Sequence, residues 1–183
     1  MELLRFESLE EMDFPKLMQV YREGNIQTIP YFFPDETDLE RGLRGVEEKF
    51  YEYFQTDFFA QPGRRYYVLA DGDQWVSAVR LFPVPEQPGA WHAEALATAP
   101  DCRRRGYAKH LFWLIFQDLG AEGPFILTDT VRRDNAASLA LHAACGFERF
   151  QNEAVCALNG KRIPNRYGMR YCGSGERKEG ERP

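Results

Sequence analysis

PDCRRRGYAKHLFWLIFQDL, residues 100–119, is the segment that decides the fold. Three consecutive arginines run into Gly106 and then into an apolar stretch, in a chain whose formal net charge is -5. A helix N-terminus has backbone N–H groups without partners and a dipole that favours anions. Glycine lets the backbone approach a ligand closely, and arginine donates charge-assisted hydrogen bonds to phosphate oxygens. The segment predicts a helix over residues 103–119 whose start is either a diphosphate site or a solvated basic turn.

The flanking segments predict a mixed α/β domain with a sheet at its centre. Residues 2–7 predict a strand and residues 9–23 a helix, followed by the loop NIQTIPYFFP at 25–34. A capping box from Thr37 to Glu40 predicts the start of a second helix. The remaining predicted elements are strands at 66–70, 74–82 and 90–98, the helix at 103–119, a strand at 125–131, a helix at 136–145, and two final strands within 147–158 and 161–171 joined by Asn159-Gly160.

Length and composition predict one cytoplasmic domain. The 183 residues, 44% hydrophobic, suffice for a packed core, and the prediction is a single domain over 1–172 with a disordered tail at 173–183. No apolar run approaches membrane-span length, and the N-terminus is acidic where a signal peptide is basic. The acidic balance argues against nucleic acid as a partner, although a domain that binds RNA through the arginine run is a third hypothesis.

The four cysteines predict reduced thiols and no metal site. Cys102, Cys145, Cys156 and Cys172 form no C-x-x-C pair and have no histidine at zinc-ligand spacing.

Two motifs resemble the GNAT superfamily of acyl-CoA N-acyltransferases. Arg103-x-x-Gly106-x-Ala108 resembles the Q/R-x-x-G-x-G/A signature, and Pro100 matches a frequent family residue. VRRDNAASLALHAACGF, residues 131–147, resembles the strand–Asn–helix–Gly–Phe segment of the same superfamily, separated from the first motif by one helix and one strand. Its N-x-x-S-x-x-x-H-x-x-x-G-F pattern is similar to a subgroup that includes phosphinothricin-type acetyltransferases.

The resemblance implies a fold and a cofactor. The implied fold is a mixed sheet flanked by about four helices and splayed between its fourth and fifth strands, with acetyl-CoA in the opening. The pyrophosphate would lie on residues 103–108 and the pantetheine along the fourth strand and the asparagine of the second motif. The implied cofactor residues are Leu96, Thr98, Arg103, Arg104, Arg105, Gly106, Tyr107, Ala108, Asn135 and Ser138.

The catalytic assignment remains open at this stage. Strand alternation places His92, Glu94, Leu96 and Thr98 on one face. Glu94, acting through a water, is the first choice of base because the resemblance favours a carboxylate in this strand. His92 is the rival, since the reference pKa of imidazole, about 6.5, lies nearer neutrality. His142 stands where many members of the superfamily have a tyrosine acid, so it is either the acid or a structural histidine.

The acceptor side and the activity also carry alternatives. Tyr31, Phe32 and Phe33, in a loop between prolines, predict a substrate pocket or a homodimer interface. The first functional hypothesis is an N-acetyltransferase acting on a small-molecule or peptide amine. The second is a domain of the same fold that senses acyl-CoA without turnover.

Overall fold

A computed structural model describes residues 1–175, which form one seven-stranded sheet with helices on both faces. The sheet order is β1-β2-β3-β4-β5-β9-β6, and a separate two-stranded ribbon pairs β7 with β8. The strands are β1 Glu2–Phe6, β2 Arg65–Asp71, β3 Gln74–Pro83, β4 Ala90–Thr98, β5 Phe125–Arg132, β6 Glu148–Gln151, β7 Ala154–Val155, β8 Arg162–Ile163 and β9 Arg166–Gly173. The α-helices are α1 Phe14–Phe32, α2 Leu39–Tyr53, α3 Tyr107–Glu122 and α4 Ala136–Ala144.

The sheet opens between β4 and β5, as expected. These two strands are parallel and pair only from Ala90–His92 to Ile126–Thr128. Beyond His92 each strand keeps its other neighbour, β3 for β4 and β9 for β5, so the two halves of the sheet separate. The expected mixed sheet with its splay is confirmed.

Strand alternation fills a core on each face of the sheet. In β2, Tyr67 and Leu69 are buried on the side of α3, whereas Tyr66 and Val68 are buried on the side of α1. Helix α3 contributes an apolar stripe to the first core at three- and four-residue steps, which fixes its face against the sheet. The stripe consists of Leu111, Phe112, Ile115 and Leu119.

The first helix is longer than predicted. The sequence predicts a helix over 9–23 and a loop over 25–34, but α1 begins at Phe14, after the N-cap Asp13, and ends at Phe32. A proline in the last turn removes only one backbone donor, and the helix ends two residues after Pro30, where the N–H of the C-cap Phe33 bonds to Ile29 O.

The start of the second helix also differs. Its N-cap is Asp38, whose side chain accepts from Arg41 N at 2.9 Å, and the backbone N–H of Asp38 donates to Glu36 Oε1 at 2.8 Å. The predicted capping box from Thr37 to Glu40 is therefore wrong: the N-cap is Asp38 instead of Thr37, and the carboxylate that bonds the N-cap N–H belongs to Glu36 instead of Glu40. Helix α2 then continues into a five-residue π-helical turn, Phe54–Phe58.

The C-terminal strands are more divided than predicted. The Asn159-Gly160 turn joins the short strands β7 and β8, which form their own ribbon, whereas the sheet receives β6 and β9. The predicted tail begins at Gly173, where β9 ends, and its residues after 175 lie outside the described part of the chain.

Candidate active site

The opening between β4 and β5 is a cleft of about 490 Å³. Its walls come from the ends of both strands and from the start of α4, which places residues distant in sequence around one space. The lining residues are Arg80, Glu94, Ala95, Leu96, Asp129, Thr130, Val131, Arg132, Asn135, Ser138, Ile163 and Arg166.

The turn before α3 is built for an anion. Arg104 and Gly106 both have left-handed backbone angles, φ 62° and 84°, and such turns collect N–H groups into a concave site. Asp13, Asp38 and Asn135 cap the other three α-helices with their side chains, whereas Gly106 offers α3 no side-chain cap. A Cβ added at Gly106 would meet no atom within 4 Å, so the space above these N–H groups is open.

The three arginines of the turn differ in their contacts and exposure. Arg103 forms an ion pair with Glu23 of α1 and donates to Thr98 O at 3.3 Å, so its guanidinium is already engaged. Arg104 and Arg105 are exposed and immediately precede the N-terminus of α3. These features suit a phosphate group, such as those of coenzyme A, better than they suit a neutral ligand.

Tyr107 and Ala108 complete the predicted turn as the first residues of α3. The Tyr107 hydroxyl donates to Asp71 Oδ2 at 2.6 Å, which ties the helix start to the β2–β3 hairpin. Because both residues lie in the first turn of α3, their backbone N–H groups have no partner within the helix and can take part in an anion site.

A bulge in β4 redirects the strand at the cleft. The register to β3 shifts between the pairs Arg80–Glu94 and Ala78–Ala97, and Ala95 has a left-handed φ of 55°. A bulge adds one residue and inverts the alternation that follows it. The expected shared face is therefore wrong for Leu96, which packs on the α3 side, whereas Ala97 packs on the α1 side.

The edge of β4 beyond His92 has no strand partner on the β5 side, as far as the described residues extend. Leu96 lines the cleft along this edge. Thr98 is partly engaged, because its hydroxyl lies 3.1 Å from the Ser77 hydroxyl. An extended chain with amide groups, such as pantetheine, can pair with such an edge.

Two tyrosines hold the bulge from the α1 side. Tyr66 donates to the Tyr21 hydroxyl at 2.9 Å, and Tyr21 donates to Ala95 O at 2.6 Å. Burial raises the pKa of Tyr21 to about 12 and that of Tyr66 well above its ordinary value. Both hydroxyls therefore keep their protons, and the chain of donors fixes the Ala95 carbonyl.

His92 has one ring nitrogen fixed and the other free of hydrogen. Thr128 donates its hydroxyl hydrogen to Trp91 O at 3.1 Å, so it can only accept from His92 Nδ1, 2.9 Å away. Nε2 then carries a lone pair and faces Glu94 Oε1 at 4.0 Å. Burial lowers the pKa of His92, which keeps the ring neutral. The two predicted bases thus lie side by side.

The expected acid, His142, is buried with both ring nitrogens paired. Nδ1 lies 2.8 Å from Ser138 O and must donate, because a carbonyl only accepts. Nε2 lies 2.9 Å from Asp129 Oδ2, which requires one hydrogen between this nitrogen and the carboxyl. His142 is completely buried, whereas Asp129 lines the cleft. Any proton from His142 would reach the cleft through Asp129.

Asn135 and Ser138 lie in the cleft wall as expected, but Asn135 also has a structural task. Its side-chain oxygen accepts from Ser138 N at 3.0 Å and caps α4. Its amide N–H₂ is left for a ligand. The structure therefore brings together the β4 edge, the start of α4 and Glu94 around the cleft, whereas residues 103–108 and the buried His92 are not part of its lining.

The three aromatics proposed for a substrate pocket lie elsewhere. Tyr31 and Phe32 are in the last turn of α1, and Tyr31 is 81% exposed. Phe33 is the C-cap and packs against Gly45 of α2. None of the three lines the cleft or the cavity described next. The loop assignment failed because the helix continues through Pro30.

A second cavity, of about 130 Å³, opens beside the bulge on the α1 side. Its walls are mainly apolar and aromatic, and it shares Arg80 and Ala95 with the cleft. The lining residues are Met18, Tyr21, Asn25, Phe50, Phe54, Tyr66, Arg80 and Ala95.

Sequence reasoning missed Tyr21, Arg80 and Asp129. Asp129 had a visible signal, because it interrupts the apolar strand FILTDTV. Arg80 had a weaker one, as a charge between Val79 and Leu81 in a buried strand. Tyr21 had none, since its spacing in α1 is that of a core residue.

Two absences are findings about residues 1–175 only. No group of three or more His, Cys, Asp or Glu side chains in this range could hold a metal ion. Within the same range, every helix is too short or too polar to cross a membrane.

Comparisons with known proteins agree with this geometry. The sequence profile of the acetyltransferase (GNAT) family matches residues 28–147. The fold is similar to the ribosomal-protein-S18-alanine N-acetyltransferase from Escherichia coli, with a TM-score of 0.60 and 18% identity over 97% of this chain and 98% of that one. No curated protein matches the sequence.

Two further similar structures were solved with ligands. The PaiA N-acetyltransferase from Thermoplasma acidophilum, in complex with coenzyme A, has a TM-score of 0.58 at 13% identity, over 93% of this chain and 98% of that one. The spermidine N-acetyltransferase from Vibrio cholerae, in complex with CoA and spermine, has a TM-score of 0.58 at 15% identity, over 93% and 95%.

Proposed function

The chain belongs to the acetyltransferase (GNAT) family, and from that membership we infer that it transfers the acetyl group of acetyl-CoA to a primary amine by direct attack in a ternary complex. The observation that carries this proposal is the pair of acceptors Glu94 Oε1, in the cleft wall, and His92 Nε2, buried 4.0 Å behind it. An ammonium group or a water that contacts Glu94 from the cleft is placed to give up a proton.

The residues that would hold the donor lie in the cleft wall and in the turn before α3. The N–H groups of residues 106–109 and the side chains of Arg104 and Arg105 suit the pyrophosphate. The free edge of β4 at Leu96, with Asn135 and Ser138 opposite, suits the pantetheine amides. When bound, acetyl-CoA supplies the acetyl group as an activated thioester.

Proton removal from the acceptor amine falls to His92 and Glu94 together. The Glu94 carboxylate in the cleft wall attracts the ammonium and accepts its proton, directly or through a water, and the bare Nε2 of His92, 4.0 Å away, can receive that proton in turn. Because burial keeps His92 neutral, it is ready to accept a proton near neutral pH.

Asp129 and His142 would return a proton. The hydrogen between Nε2 and Oδ2 is held at the cleft-facing carboxyl, from which it can pass to the departing sulfur. Loss of this proton leaves the Asp129 carboxylate bonded to Thr130 N. This route gives His142 an indirect part in catalysis and makes Asp129 the group nearer the reacting atoms.

Free-thiol release from acetyl-CoA, measured with amine panels, tests the proposal. Glu94→Gln should lower kcat by about 10²-fold or more, the range for loss of an acid–base group, without changing the Kd for CoA. Glu148→Gln, an exposed carboxylate on β6, is the matched control and should match the wild type. Thiol release that is absent with every amine, despite CoA binding, would favour the sensing domain instead.

A further inference from the structure

The buried guanidinium of Arg80 marks the acceptor side of the site. Arg80 of β3 lies opposite Glu94 of β4 and lines both the cleft and the 130 Å³ cavity. Its side chain is 17% exposed and is covered by the ring of Tyr53, 5.2 Å from the guanidinium carbon. A charged group at the mouth of an apolar cavity is costly unless it has partners.

Arg80 has more donors than partners. A guanidinium carries five N–H donors. Within the described residues its hydrogen bonding is limited to Nη2, which donates to Glu94 Oε2 at 3.2 Å, and its buried Nε has no partner. Because Arg80 lines both spaces and bonds one carboxylate through one nitrogen, it has donors left for an acceptor, and a carboxylate matches the guanidinium in shape and charge.

Glu94 supplies the opposite charge next to Arg80. One carboxylate oxygen contacts Arg80, and the other faces His92 Nε2 at 4.0 Å. Glu94 also lines the cleft, from which an ammonium can reach it. Arg80 and Glu94 therefore present a positive and a negative group side by side. That arrangement complements an ammonium and a carboxylate carried on neighbouring atoms.

The cavity provides room for one apolar side chain. Its volume of 130 Å³ is close to the roughly 150 Å³ at which an apolar protein cavity accommodates a benzene ring. Met18, Phe50 and Phe54 give it apolar walls. Asn25, which bonds only weakly to the Met18 sulfur at 3.5 Å, adds one polar group.

We propose that the acceptor is an apolar α-amino acid with a free carboxylate. Its ammonium binds Glu94 in the cleft, its carboxylate binds Arg80, and its side chain of leucine or phenylalanine size occupies the 130 Å³ cavity. This inference rests on the proposed acetyl transfer, because it names the amine that the same site acetylates.

Matched acceptors separate the three contacts. With saturating acetyl-CoA, kcat/KM for L-leucine should exceed that for glycine by about 10-fold or more, the effect of filling an apolar pocket. It should also exceed kcat/KM for isoamylamine, which lacks the carboxylate, and for L-leucinamide, which lacks the negative charge, by about 30-fold. Equal rates for leucine, isoamylamine and spermidine would overturn the inference while acetyl transfer stands.

Arg80→Met keeps the aliphatic stem and removes the guanidinium. It should raise KM for leucine by about 30-fold and leave KM for isoamylamine within about 3-fold. Arg64→Met is the control, because both arginines lie over the Phe82 ring, Arg80 at 5.8 Å and Arg64 at 5.0 Å, but Arg64 lines neither cavity. If folded Arg80→Met protein loses activity on both acceptors, Arg80 supports the structure of the β4 bulge and has no role in acceptor specificity.

A binding measurement distinguishes failure of this inference from failure of the reaction. Calorimetric titration of L-leucine into the protein saturated with CoA needs no turnover. Leucine binding that is weakened by Arg80→Met supports the acceptor class even if acetyl transfer fails. Absence of leucine binding in a protein that acetylates other amines overturns it.

Discussion

Substitution of Tyr21 by phenylalanine gives a direct measure of how the β4 bulge is held. Tyr21 accepts from Tyr66 at 2.9 Å and donates to Ala95 O at 2.6 Å, so Tyr21→Phe breaks two bonds and leaves one donor and one acceptor unpaired. Tyr66→Phe breaks one bond and leaves only the Tyr21 oxygen with a vacant acceptor site. The two variants therefore differ in what they leave behind.

The expected costs follow from that difference. Tyr21→Phe should lower the free energy of unfolding by about 1–2 kcal/mol, and Tyr66→Phe by about 0.5–1 kcal/mol. In a chain of this size, each kcal/mol lowers Tm by about 2–4 °C. The double variant should cost less than the sum of the two, because Tyr66→Phe removes the donor that Tyr21→Phe leaves unpaired.

Urea unfolding of the wild type, both single variants and the double variant measures these energies. Activity should follow the same order, since Ala95 is next to Glu94 and a displaced bulge moves the carboxylate. Equal costs for the two single variants, or full additivity in the double variant, would show that no chain of donors supports the bulge.

Three further outcomes follow from the buried groups. Burial lowers the pKa of His92, so below about pH 6.5 the imidazole binds a proton more readily in the unfolded protein than in the folded one, and stability falls as the pH drops. His92→Gln should therefore reduce the stability loss between pH 7.5 and pH 5.5 by at most about 1.4 kcal/mol, measured by urea unfolding at both pH values. Asp129→Asn should abolish the downfield proton resonance of the hydrogen shared with His142 Nε2, whereas an unchanged ¹H spectrum would place that hydrogen elsewhere. Cys145→Ser should leave initial rates unchanged, because burial raises the pKa of this thiol to about 11 and keeps it protonated and unreactive as a nucleophile. An acetylated enzyme that can be trapped by quenching the wild-type reaction but not the Cys145→Ser reaction would contradict direct attack.

The elements with strong local signals could be predicted. The β2–β3 hairpin, β4, β5 and α4 are within about two residues of their predicted bounds, because alternation, turn residues and caps agree there. The turn at Gly106 could also be predicted, since glycine, arginines and a helix start stand together in the sequence.

Features that depend on tertiary contacts could not be predicted. Alternation alone puts Leu96 on the face of Glu94, but the bulge at Ala95 inverts it, and the bulge is held by Tyr21 from a distant helix. The pairing of His142 with Asp129 links two elements that the sequence keeps apart. Helix α1 extends past Pro30 because the proline lies in its last turn, where it removes only one backbone N–H donor.

Assignments without a structural test remain predictions. They are the domain bounds 1–172 with a disordered tail, the roles of the site residues, the homodimer, the cytoplasmic location, the likeness to the phosphinothricin-type subgroup and the exclusion of nucleic acid.

The central claim is that the turn before α3 binds the diphosphate of coenzyme A, and calorimetric titration with CoA tests it most directly. Gly106→Glu places negative charge in the open space above the helix N-terminus. Gly160→Glu, at a glycine with a similar left-handed φ of 68° and the same open surroundings, controls for backbone strain. We predict micromolar binding by the wild type and Gly160→Glu, and none by a folded Gly106→Glu. Equal CoA affinity in all three proteins would contradict the assignment of the diphosphate to this turn.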